Sequence, residues 1–518
     1  MNKFIFLNIL IVISFSCSNK NNNEKEQFMN YKLTWGMISN YLEGESSSRA
    51  AFTIHNQTNQ NLGNKGWAIF YSQSPRRVTN HSNSKASVNQ INGDWYSITP
   101  NESFLLSPGD QITIQYDMSS SIIKETDAPL YPYLVLYDKD GNEKDISKIT
   151  DYSILPFDKP EKINRGKNDP VPIPNPKNRY QSNNSLSLLD EDELHKIIPT
   201  PFKIHANQGS LLINDALQIY YSEDLKSEAN YLREKLYEFT GRKFSILQKD
   251  YKGGKAIVLG TKPISINNVS SEAYVLEISS ESGMMITGSD PAGVFYGIQS
   301  FISLLPINVF QSPQPSIEVS NIYVEDAPRF SYRGQHLDVC RNFFSKKAVF
   351  KILDIMSFYK LNHLQLYLSE DEGWRIEIKE LPELTKVGGQ RQHTSKESSA
   401  LHPSYGSGPN AYEENTYGSG YYSRKDYIDI LHYAAERHIT VIPTINFPGH
   451  ARAAIKAMEA RYEYYMEKGQ EDLANEYRLI DPNEKSKYYS AQGYNDNVVN
   501  VARESVYKFY RTVIKSIS

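Results

Sequence analysis

Residues 332–375 read YRGQHLDVCRNFFSKKAVFKILDIMSFYKLNHLQLYLSEDEGWR, and the periodicity of this stretch decides the fold of the C-terminal part of the chain. Tyr332–Val339 reads as a buried strand. Ser345 can cap a helix over Lys346–Lys360, because Val349, Ile352, Leu353, Met356 and Tyr359 fall on one helical face. His363–Leu368 is the next strand. The alternation continues with a helix at Arg424–Arg437, a third strand at Thr440–Ile445, and further helices at Ala451–Lys468 and Glu504–Ile517. Alternating strand and helix units predict a parallel sheet with helices outside, hence the first part of a (β/α)8 TIM barrel over 328–518.

Upstream the pattern changes twice. Between 31 and 154 the apolar runs are short and alternating, as in Ala50–His55, Trp67–Tyr71, Gln111–Tyr116 and Tyr133–Tyr137, with Gly, Asn and Pro between them. This predicts an all-β sandwich. Trp35, Trp67 and Trp95 have two readings there, as core filling or as rings that stack on sugars. Residues 155–185 are rich in Pro, Asn and Lys and read as a linker or extended wrap. Over 195–325 strands (Leu217–Tyr221, Ala256–Leu259, Ala273–Ile278) mix with a helix at Leu225–Phe239 stopped by Thr240-Gly241, an α+β pattern. In Ser289–Ser300 a capped turn opens an amphipathic helix, and Ala292, Gly293 and Gly297 would let it press closely onto a neighbour.

The chain's 518 residues allow about three or four domains at ~150 residues each. Lys plus Arg total 56 against 60 Asp plus Glu, a net charge of −4, so there is no basic field for nucleic acid, which is not an expected partner. Lys3 precedes an apolar run, Phe4–Phe15, too short for the ~20 residues that span a bilayer but suited to a secretory signal. Cys17 follows a small residue just after that run, so residues 1–17 resemble a bacterial lipoprotein signal with Cys17 as the lipid attachment site. Plain secretion is the alternative. Residues 18–30 then form a polar tether. The expected location is the bacterial cell envelope, lipid-anchored, periplasmic or at the surface. Only one other cysteine, Cys340, exists, so no structural disulfide is expected.

Barrel enzymes carry their working groups at the carboxyl ends of the strands. Those positions hold Asp338 and Arg341 after the first strand, Glu370, Asp371, Glu372, Trp374 and Arg375 after the second, and Asn446, Phe447, Pro448, Gly449 and His450 after the third. Acids and guanidinium groups make strong hydrogen bonds to hydroxyls, and an indole offers a flat apolar face, so the set suits a polyol. Each has a plainer reading. Asp338 and Arg341 can form an internal ion pair, Glu370 and Glu372 read as solvated, and His450 can be a packing residue at a helix start. The spacing of His393, His402 and His450 resembles no zinc motif, so neither metal nor cofactor is expected.

Four ordered motifs carry a family resemblance: Arg333-Gly334 with Leu337-Asp338 and Arg341; Glu370–Arg375; Gly418–Tyr422; and Ile442-Pro443 with Pro448-Gly449-His450. They resemble the catalytic domain of glycoside hydrolase family 20, the β-N-acetylhexosaminidases and chitobiases. The segment around Gly66-Trp67 resembles the carbohydrate-binding-like sandwich that many of these enzymes carry, and 195–325 resembles their second domain. The resemblance implies terminal GlcNAc or GalNAc of N-acetylhexosamine-containing glycans as substrate, bound by Arg341, Glu370, Asp371, Trp374 and His450. It implies retaining hydrolysis in which the substrate's acetamido oxygen attacks the anomeric carbon, an exception among retaining glycosidases. An aspartate orients the acetamide and the adjacent glutamate is the general acid and base.

The family's Asp-Glu pair ends the fourth strand, in a His-x-Gly-Gly-Asp-Glu stretch. No Gly-Asp-Glu occurs in the 518 residues, so no catalytic residue is assigned, and three strands of a barrel are not expected to be stable alone. Gln365 and Tyr367 replace the family's His-x-His, and Thr444 and Asn446 replace the acids of Pro-Glu-Ile-Asp. With Asn446 there, His450 is expected to lose its charged partner. These departures leave a second reading, a non-catalytic glycan-binding surface lipoprotein.

Overall fold

The computed structural model describes residues 30–42, 47–74, 76–81, 85–170, 176–190, 194, 196–486, 490 and 495–518. The signal-like run, Cys17 and nearly all of the 18–30 tether lie outside the described residues. Among the described residues no helix is long and apolar enough to cross a membrane.

The N-terminal region is a β-sandwich of two five-stranded sheets, built from β1 (Tyr31–Ser39), β2 (Ser48–Asn56), β3 (Trp67–Ser72), β4 (Val78–His81), β5 (Ala86–Asn92), β6 (Trp95–Pro100), β7 (Gln111–Met118), β8 (Leu130–Tyr137), β9 (Glu143–Lys148) and β10 (Tyr152–Ile154). The sheet orders are β10-β1-β2-β7-β4 and β5-β6-β3-β8-β9. Strict alternation in β2, buried at every second residue, turns Phe52 and Ile54 into the core. All three sandwich tryptophans are buried. Their indole N–H groups donate to Tyr116 Oη (Trp35), Gly63 O (Trp67) and Tyr133 Oη (Trp95). A buried indole needs such a partner, so these rings fill the interior and the sugar-stacking reading falls. Of the two readings of 155–185, linker or extended wrap, its first part follows the wrap: Phe157 is buried against Trp35, and Asn40 bonds Glu161 and Ile163. Proline-rich sequence here wraps the sandwich because one aromatic anchors it.

In the second region, β11 (Lys203–Ile213), β12 (Ile219–Tyr221), β13 (Ile246–Gln248), β14 (Ala256–Thr261), β15 (Tyr274–Ser279), β16 (Gly283–Gly288) and β17 (Ile317–Asp326) form one mixed sheet in the order β11-β17-β15-β16-β14-β12-β13. Helices α1 (Lys226–Thr240) and α2 (Pro291–Ser303) share its core. Gly241, at φ +67°, ends α1, since only a residue without Cβ adopts that conformation freely. Asp290 caps α2 by accepting from Gly293 N. The close approach expected of this helix is real. A Cβ on Gly293 would stand 2.3 Å from the Ala273 carbonyl oxygen, and one on Gly297 2.4 Å from Ile286 Cγ2. Gly293→Val should therefore destabilise the chain by about 1–3 kcal/mol through overpacking. Urea denaturation checks this, and an unchanged midpoint would show that the helix shifts freely.

The third region holds β18 (Gly334–Asp338), α3 (Lys346–Phe358), β19 (His363–Tyr367), α4 (Arg424–Ala435), β20 (Thr440–Thr444), α5 (Arg452–Glu467) and α6 (Glu504–Ile517). The strands pair in parallel in the order β18-β19-β20. Ser345 caps α3 through Ala348 N, and Ser423 with Asp426 forms a capping box on α4. In β19, Leu364 and Leu366 are fully buried toward the helices while His363, Gln365 and Tyr367 are partly exposed on the other face. The first strand departs from expectation: Gly334, Gln335 and His336 are exposed. Among the described residues it pairs with β19 alone. An ion pair between Glu272 and Arg333 (2.6 Å) and a hydrogen bond between His438 Nε2 and Glu228 Oε1 (2.7 Å) join the second region to the third.

Candidate functional site

Parallel strands deliver their carboxyl ends to one side, and register places Asp338, Tyr367 and Thr444 abreast there. Arg341, on the loop after β18, donates to Asp338 Oδ2 at 2.7 Å and Glu370 Oε1 at 2.5 Å, with Glu372 at 3.8 Å. Its side chain keeps 24% exposure, and that of His450 34%. His450 Nδ1 lies 2.8 Å from the same Glu370 oxygen and 3.8 Å from Asp371. The imidazole is presented by a left-handed backbone at φ +53°, a conformation a non-glycine residue rarely adopts and one enriched at functional sites.

Glu370 is therefore the hub, and it is buried, as are Asp371 and Glu372; the solvated reading of Glu370 and Glu372 is corrected. Glu370 sits in a two-residue strand, Ser369–Glu370, paired antiparallel with Gly373–Trp374, and Asp371 and Glu372 form the turn between them; the charges around them substitute for water. The Glu370 Oε2 accepts from Asp371 N and Asn446 Nδ2. Burial pushes the Glu370 carboxyl up to about 9, Asp371 adds repulsion, and the Arg341 guanidinium opposes both. Its folded value lies above its unfolded value of ~4.3. Its contribution to stability is thus whole below that value and is lost as pH rises toward 9. Glu370→Gln should flatten the decline in melting temperature between pH 5 and 9 relative to the native chain. Parallel curves for the two proteins would refute the assignment.

The acids nearest His450 are Glu370, whose carboxyl holds its proton at neutral pH, and Asp371 at 3.8 Å, while Asn446 uses its amide on Tyr367 Oη, Ser369 O and Glu370. Gln365 bonds Thr444 Oγ1, so the four departures from the family pattern pair with one another or with Glu370.

Other residues sort differently from their sequence grouping. Asp371 turns inward, accepting from Arg452 N, Ser490 Oγ and Asn497 Nδ2. Trp374 is 1% exposed, donates to Ile376 O and packs edge-on to Phe509. It is a core residue and offers no platform to a sugar. Arg375 is buried, and its guanidinium donates to the carbonyls of Val339, Cys340, Gly389, Gly418 and Gly420. Arg391 adds bonds to Glu372 O, Cys340 O and Arg341 O. Neither Arg391 nor the buried Arg452–Glu397 pair was legible beforehand, since their partners are distant and no motif marks them. Burial pushes the Glu397 carboxyl up, but the Arg452 charge outweighs it and holds it down at about 2. Cys340 is a buried free thiol. Candidate ligand atoms of Glu370, Asp371 and His450 lie within 4.8 Å of one another. The Arg341 guanidinium on Glu370 would oppose a cation there.

Fold and site define a multidomain protein with an acid–guanidinium–imidazole cluster at the strand ends of its βα domain. Residues 330–518 match the model of the glycosyl hydrolase family 20 catalytic domain, 194–327 that of the same family's domain 2, and 28–173 a model named for a carbohydrate binding domain. The chain is 34% identical over 508 residues to a beta-hexosaminidase of Vibrio vulnificus, covering 94% of this chain and 57% of that protein. It is 33% identical over 490 residues to an N,N'-diacetylchitobiase of Vibrio harveyi, covering 92% and 52%. A crystal structure of a family 20 exo beta-N-acetylglucosaminidase from Vibrio harveyi shares the fold with a TM-score of 0.71 at 24% identity, over 94% of this chain and 65% of that one. The chain belongs to glycosyl hydrolase family 20, and it spans little more than half the length of the curated relatives named here.

Proposed function

We propose that this chain supplies the sugar-gripping part of a β-N-acetylhexosaminidase that releases terminal GlcNAc or GalNAc from glycans. The observation that carries this reading is Arg341, partly exposed and aimed by three acids. Two of its N–H groups are committed to Asp338 and Glu370, which leaves others for sugar hydroxyls. A guanidinium held in place before binding loses little freedom on forming those bonds. The hydrolysis would be retaining, with the substrate's own acetamido oxygen as nucleophile. It needs an Asp-Glu pair in a Gly-Asp-Glu stretch, which these 518 residues lack. His450, beside a carboxyl that keeps its proton at neutral pH, would tune the group that moves the leaving-group proton. We place the protein in the bacterial envelope, lipid-anchored through Cys17.

The second reading, a glycan-binding surface lipoprotein without turnover, draws on Gln365, Tyr367, Thr444 and Asn446. Titration with chitobiose by calorimetry, beside hydrolysis of an aryl N-acetylglucosaminide, separates them. Binding supports the sugar-gripping site in either reading, turnover excludes the second reading, and absence of both refutes the site.

A further inference from the structure

The second region contains a groove that the Arg341 site does not use. Strand β12 is paired in parallel with β13 on one side and β14 on the other. The chain runs from β12 through α1 to β13, then returns past β12 to reach β14. Open parallel sheets bind ligands where successive connections leave the strand ends in opposite directions. Here the return connection, residues 249–255, crosses the sheet face away from α1, with Gly253 and Gly254 at φ +106° and +110°.

Alternation decides what it crosses. Ile219, Tyr221, Ile257 and Leu259 lie in the core with α1, so Tyr220 and Val258 point to the opposite face and stay partly exposed. Tyr251 stands edge-on to Tyr220 with ring centroids 5.6 Å apart, and Lys249 Nζ lies 5.5 Å from the Tyr220 centroid. Around the two rings opens a groove of about 350 Å³, rimmed by Glu223, Gln248, Lys249 and Asp250. Ligand sites run from ~300 to 1,000 Å³.

We propose that this groove binds a neutral pyranose unit of a glycan, independently of the Arg341 site. A pyranose combines an apolar C–H face with hydroxyls that both donate and accept. The tyrosines supply apolar walls, Glu223 and Asp250 accept, Lys249 donates, and the Gln248 amide does both. Two carboxylates against one ammonium disfavour an anionic ligand, which excludes a phosphate or nucleotide as the natural occupant. The site would hold the chain on a glycan while the third region engages a chain end.

Ligand-observed saturation-transfer NMR on the full 518-residue chain tests this with chitotriose, cellotriose and maltotriose as probes. In an Arg341→Ala background, which silences the other site, at least one trisaccharide should still receive saturation. That transfer should fall at least tenfold in Tyr251→Ala, and also in Gln248→Ala/Asp250→Ala, whose exposed side chains can be removed without disturbing the core. Loss of all transfer with Arg341→Ala, or transfer indifferent to both groove variants, overturns the proposal. The Arg341-sensitive component reports on the proposed enzymatic site separately.

Discussion

Replacing Arg375 with alanine should cost the third region about 3–5 kcal/mol, the scale of leaving buried charge-assisted partners unpaired. Its fully buried guanidinium donates to five carbonyls drawn from the 339–340, 389 and 418–420 segments. Cys340 O also accepts from Arg391 and Gly389 O from Gly420 N, but the carbonyls of Val339, Gly418 and Gly420 would lose their Arg375 donor, and each buried carbonyl left unpaired pays its desolvation. Lysine should rescue little, because an ammonium has three donors and no planar fork. The readout is convenient. Of the four tryptophans only Trp374 lies outside the sandwich, so variants with Trp35, Trp67 and Trp95 changed to phenylalanine report the third region alone in urea. Were Arg375 instead a sugar-gripping residue, as its position beside Glu370 first suggests, its alanine variant would keep its midpoint and lose only binding.

Arg341→Ala should act chiefly on binding. The side chain is partly exposed and Glu370 holds its proton, but the buried Glu372, 3.8 Å away, loses a facing guanidinium. Stability should fall by about 1–3 kcal/mol, less than for Arg375→Ala. Chitobiose affinity should fall about 100-fold, the equivalent of ~2.8 kcal/mol and of one or two charge-assisted hydrogen bonds. Calorimetry on the folded variant measures it. Undiminished affinity would remove Arg341 from the site and with it the main support for the proposed function.

The two arginines show where sequence reading reached its limit. Arg341 and Arg375 both follow a strand end, both lie in motifs shared with family 20, and both are the type of residue that binds polyols. Nothing local separates them. The difference is supplied by Gly389, Gly418 and Gly420, whose carbonyls turn toward Arg375 from loops far along the chain. The acids behave alike: Glu370, Asp371 and Glu372 read as a hydrophilic run, which ordinarily means solvent, yet all three are buried. Only the arrival of Arg341, His450, Arg452, Ser490 and Asn497 makes that burial tolerable.

Taken by itself, the sequence determined the order of domains, the capped helices α3 and α4, the glycine-dependent packing of α2 and the grouping of Asp338, Arg341, Glu370 and His450 at one end of a parallel sheet. Those features depend on apolar periodicity, capping chemistry and alternation, which act within a few residues. Only the tertiary structure decided that Trp374, Arg375 and Asp371 face inward, that the sandwich tryptophans are core, and that Glu370 is the acid nearest His450. Orientation within a loop depends on which distant donors and acceptors come to meet it, and that information lies in the packing of segments as much as 126 residues apart.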